Sequence, residues 1–122
     1  MDQPAKQLGT CADPKSADLL HYIRAMVRRL RAAATEPHRV HDQSIERHLA
    51  TLLRHAIDSS SALDIVVTLG CAAELSLYPE ETILEQCTSA VRAAGKSTLV
   101  GALWAVRHRC ARAGEDRRRF VI

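Results

Sequence analysis

Aromatic side chains are scarce in this chain of 122 residues: Tyr22, Tyr78, Trp104 and Phe120 are the full set. An interior must then be filled by Ala, Leu, Val and Ile, which favours closely packed helices over an aromatic-lined ligand cavity. Stacking platforms for single-stranded nucleic acid are nearly absent for the same reason. Paired cysteines are missing too. Cys11, Cys71, Cys87 and Cys110 are far apart, so there is no CxxC unit, and three of them fall among apolar helical positions where a free thiol behaves as a small hydrophobe. No apolar run approaches the roughly 20 residues that a membrane span needs. The first fifteen residues are polar and hold two prolines, unlike a secretory leader. Together these absences predict a soluble, cytoplasmic protein with free thiols and no membrane association.

What is present is an ordinary globular balance. Apolar residues make up 47% of the chain and charged residues 25%, with a net charge of +3. The length suits one domain with one core. The charge excess is mild and is not the mark of a dedicated nucleic-acid binder. Arginine heavily outnumbers lysine, which gives better forks for carboxylates and phosphates, although a GC-rich coding bias yields the same composition.

Apolar periodicity predicts an all-α fold: a compact five-helix bundle or helical-hairpin stack. Residues 1–12 read as a flexible arm, 13–114 as the helical domain and 115–122 as a basic tail. Asp13-Pro14 reads as an N-cap followed by proline at the first helical position. The first helix then runs to about Ala34 on a stripe of Leu20, Ile23, Val27, Leu30 and Ala34, widened by Leu19 and Met26. Asp42 or Ser44 caps a second helix with Ile45, Leu49, Leu52, Leu53, Ala56 and Ile57 on its apolar face. Ser61 with Asp64 resembles a capping box for a third helix, Ala62 to about Leu77. That helix is apolar on nearly all sides, so it should be buried. Pro79 followed by two glutamates starts a fourth helix, which Gly95 ends. Ser97 or Thr98 starts a fifth, with Leu99, Val100, Leu103, Trp104, Val106 and Cys110 as its apolar positions, and Gly114 closes it. An internal repeat between the second and fourth helices does not extend beyond one amphipathic stripe.

Candidate chemistry is thin. Gly95-Lys96-Ser97-Thr98 resembles the end of a phosphate-binding loop, but Ala90 stands where the first glycine belongs, and the preceding segment is helical. Helix capping explains the same residues. His41, His48 and His55 recur every seven residues, about 10.5 Å apart along a helix, too far for two of them to share one metal. No GxSxG is present, and Glu80, Glu81 and Glu85 suit helix-dipole and exposed-face roles better than acid–base work. No catalytic residue, metal ligand or cofactor is assigned, and no small-molecule substrate is indicated.

The arginines supply the remaining candidate. Arg24, Arg28 and Arg31 share one face of the first helix, flanked by Arg29, and Arg117, Arg118 and Arg119 form a run in the tail. Such residues contact phosphates or carboxylates. A solvated face is the simpler reading, because no helix-turn-helix, zinc-finger or RNA-binding signature accompanies them. The expectation is a non-catalytic interaction or regulatory module that binds another protein or a second copy of itself as a homodimer. The alternative is a nucleic-acid-binding regulator using those six arginines.

Overall fold

The computed structural model describes residues 14–34, 41–114 and 118–120. The fold is all-α, with five helices among the described residues and one small sheet. The helices are α1 (Ser16–Ala34), α2 (His41–Asp58), α3 (Ala62–Glu74), α4 (Glu81–Ala94) and α5 (Ser97–Ala113). Strand β1 (Leu77–Pro79) lies between α3 and α4, and β2 (Arg118–Phe120) follows α5. Asp13 and Arg117 lie outside the described residues.

Helix α3 is the axis of the molecule. It packs against α1, α2, α4 and α5, and ten of its residues, Ala62 and then Ile65 to Ala73, are buried. Its near-uniform apolarity is thereby satisfied within the chain. The surrounding helices each turn one stripe inward: Leu19, Ile23, Val27 and Leu30 from α1; Leu49, Leu53 and Ala56 from α2; Leu84, Cys87 and Val91 from α4; Leu99, Leu103, Val106 and Cys110 from α5. All belong to one cluster. At the α1–α3 crossing Gly70 is buried, and a Cβ on it would lie 2.5 Å from Ile23 Cδ1. The missing side chain is what lets α1 approach.

The α2–α3 connection is the three-residue turn Ser59-Ser60-Ser61. Ser60 adopts a left-handed conformation with φ 55°, and its amide donates to Ile57 O while that of Ser61 donates to Ala56 O, both at 3.0 Å. This is a Schellman closure of α2. The Ser61 hydroxyl then accepts from the Asp64 amide at 3.3 Å and caps α3, as its sequence spacing predicts. Gly95 ends α4 at φ 71°, and Gly114 follows α5 at φ 70°, again as predicted.

Several boundaries differ from the sequence reading: the first helix begins at Ser16 instead of Pro14, and α2 begins at His41, so Asp42 and Ser44 lie within the helix instead of capping it. Helix α3 stops at Glu74 instead of near Leu77, because Ser76 turns left-handed at φ 60° and sends the chain into β1. Pro79 therefore closes a strand, and Glu80 takes the N-cap position of α4. Strands β1 and β2 pair in parallel, Leu77 with Arg118, Tyr78 with Arg119 and Pro79 with Phe120. The Glu80 amide extends the pair by donating to Phe120 O at 3.0 Å. The tail so carries a strand whose Phe120 is buried in the core of its own chain.

Candidate functional site

Helix α1 carries the basic face. Successive residues turn by about 100°, so with Leu19, Ile23, Val27 and Leu30 inward, Arg24, Arg28 and Arg31 fall within about 60° of one another on the outer side. All three are exposed, and Arg29 is exposed on the opposite flank. No ion pair joins any of these four arginines to another described residue. Leu20 continues their ridge one turn towards the N-terminus and is 41% exposed. The sequence reading placed Leu20 in the core stripe. Leu19, which the reading set beside that stripe, is buried in its place, while Ile23, Val27 and Leu30 face inward as expected. Tyr22, 48% exposed, stands on the Arg29 flank with its ring edge-on to His21 at 6.1 Å.

The charge is distributed unevenly. Helix α1 holds four arginines against the single acid Asp18, a net +3, which equals the net charge of the whole chain. Over the rest of the sequence the thirteen other basic residues are balanced by thirteen acids. Helix α5 also carries a net +3, from Arg107, Arg109 and Arg112 with no acid, but two of these pair with Glu81 and Glu74, whereas the four arginines of α1 have no ion pair among the described residues.

The arginines of α5 do different work. Arg107 donates to Thr88 Oγ1 at 2.9 Å, lies 3.6 Å from Glu81 Oε2, and sits over the Trp104 ring at 5.3 Å. It ties α5 to α4. Arg109 donates to Glu74 Oε2 at 3.1 Å and to Ala73 O at 3.0 Å, which satisfies a carbonyl at the C-terminal end of α3. Of the tail arginines, Arg118 and Arg119 belong to β2, and Arg119 is exposed. They sit on a different element from Arg24, Arg28 and Arg31, so the six candidates do not form one continuous helix face.

The reactive groups are placed as structural ones. Cys71, Cys87 and Cys110 are buried free thiols. Burial pushes Cys87 up to about 12, against a smaller lowering from its own backbone hydrogen bond. Burial likewise pushes Cys71 up to about 11, opposed by the positive charge of Arg29 and Arg31 and aided by Glu74. Both thiols are protonated near neutrality and so are poor nucleophiles. His48 and His55 are exposed on α2, and among the described residues no three His, Cys, Asp or Glu converge as a metal site. His55 borders an open groove of about 460 Å³ with Ala50, Thr51, Arg54 and Asp58. Gly95 and Lys96 form the joint between α4 and α5, as capping predicts for the phosphate-loop lookalike.

Two features escaped the sequence reading. One is the exposure of Leu20 beside the arginine ridge. The other is Trp104, assigned to the apolar side of α5 but 47% exposed. Three turns of α5 carry apolar residues on both flanks of its buried stripe, so periodicity alone does not tell which of them face outward. Comparison with protein-family models, with characterised proteins and with solved structures finds no match for this chain.

Proposed function

We propose that the chain is a helical interaction module that presents the outer face of α1 to an anionic macromolecule and performs no chemistry of its own. The observation that carries this reading is the set of four arginines on α1, exposed and without ion pairs among the described residues, whereas two of the three on α5 pair with Glu81 and Glu74. Exposed guanidinium groups keep all their donors available for carboxylates or phosphates. The burial of Cys71, Cys87 and Cys110 in the core supports a binding role over nucleophilic chemistry. Retention on a heparin matrix tests it. The wild-type chain should be retained at low salt and released as salt rises, and R24A/R28A/R31A should elute markedly earlier. Equal elution of the two proteins would remove the α1 face as a binding surface.

A second copy of the chain is the other partner to weigh, and Trp104 favours it. A tryptophan nearly half exposed on a helix is the kind of side chain that anchors interfaces. Exposed Gly101 lies one turn before it, and a Cβ there would meet nothing within 4 Å, so the chain itself gives no packing reason for that glycine.

A further inference from the structure

We infer that the partner surface taken by α1 is an acidic amphipathic helix of another protein, laid along the ridge Leu20, Arg24, Arg28 and Arg31. This inference rests on the reading of α1 as the binding face and adds the chemistry of the partner.

The ridge has an order as well as a charge. Its four residues stand at intervals of four, four and three, so they rise along about 16 Å of helix. An exposed leucine occupies one end, and three guanidinium groups follow at steps of about 6 Å and 4.5 Å. A second helix offers its side chains at the same steps. Glutamates four and three apart on such a helix meet the arginines in turn, and an apolar residue one turn further covers Leu20. Bidentate arginine–carboxylate pairing makes the match directional.

A nucleic acid fits the same surface less well. A duplex carries a charge about every 1.7 Å, so three arginines over about 10 Å neutralise few phosphates and leave others unpaired. Helix α5, which also has a net +3, pairs Arg107 and Arg109 with Glu81 and Glu74, so it adds little unpaired positive charge for a long polyanion. Leu20 finds no apolar counterpart on a phosphate backbone, whereas a protein helix supplies one.

The test uses the full chain and three fluorescent probes. The first is a designed helical peptide with glutamates at steps of four and three and one leucine a turn beyond. The second is a permuted helical peptide of the same composition, and the third is a 20-base-pair DNA duplex. In about 50 mM salt the ordered peptide should bind at least about tenfold more tightly than the permuted one. Charge reversal in R24E/R28E/R31E should abolish that preference, and Leu20→Asp should reduce it. Arg92→Ala, an exposed cation on α4, should leave it unchanged. Circular dichroism of each variant, matching the wild type, establishes that folding is intact.

Equal binding of the two peptides, or none by either, overturns the inference. Tighter binding of the duplex through the same three arginines replaces the helix with nucleic acid. If heparin retention depends on the arginines but the ordered peptide has no advantage, the partner assignment alone fails. If retention itself is independent of them, the binding face fails with it.

Discussion

Two glycines in helix interiors have opposite reasons to be there. Gly70 is buried under Ile23, and a Cβ would come within 2.5 Å of Cδ1 and 3.1 Å of Cγ1 of that residue. Gly70→Val should therefore destabilise the chain by about 1–3 kcal/mol, because α1 must lift or Ile23 must leave its rotamer. Gly101 faces open space, and Gly101→Ala should stabilise by up to about 1 kcal/mol through helix propensity. Urea unfolding measures both, and equal signs would contradict the packing described. The cysteines make a pH argument at the same scale. Burial raises Cys71 to about 11 and Cys87 to about 12 from an ordinary 9.0, so the folded state holds these protons more tightly than the unfolded chain. The resulting stability is fully present below about pH 9 and is lost as pH rises through about 11 to 12. In a Cys11→Ser background, thiol labelling at pH 8 should be slower by about a hundredfold or more in the native protein than in urea. Rapid native labelling of Cys71 or Cys87 would show that the core is open.

At the scale of elements, the β1–β2 pair is the part of the fold that depends most on distant residues. Phe120 closes it from the core side, and Phe120→Ala should cost about 3 kcal/mol. Because Leu77, Tyr78 and Pro79 are buried beside β2, protease sensitivity should rise between α3 and α4 in that variant. Sensitivity confined to the C-terminus would mean that β1 holds without its partner. The same pair marks the limit of what local pattern reveals. The five helices were legible from their apolar stripes and from Ser61, Gly95 and Gly114, since a cap or a stripe is a property of neighbouring residues. A three-residue strand whose partner lies some forty residues away has no such local signature. Leu77 joined the apolar run of α3, and Pro79 before two glutamates looked like a helix start, so the parallel pairing stayed hidden. The candidate surface was legible to a similar degree. Arg24, Arg28 and Arg31 were found by spacing, while Leu20 was placed inward because stripes beginning at residue 19 or at residue 20 fit the sequence almost equally well.

Taken whole, the molecule is an apolar axis wrapped by amphipathic helices, with a row of exposed arginines on α1 and its exposed tryptophan on α5. If Trp104 anchors a second copy, light scattering should report a mass that rises with concentration towards a dimer, and Trp104→Ala should return it to the monomer value. A mass independent of concentration in both proteins would remove self-association. The parallel strands also set a timetable. Strand β2 follows β1 by about forty residues, and chains are synthesised at about 5–20 residues per second, so β1 waits for roughly 2–8 seconds before its partner exists. Throughout that interval the nascent chain carries an open, apolar strand edge of the kind that recruits foreign strands. The brevity of β1, three residues ending in a proline that donates no hydrogen bond, limits what that edge can capture while it waits.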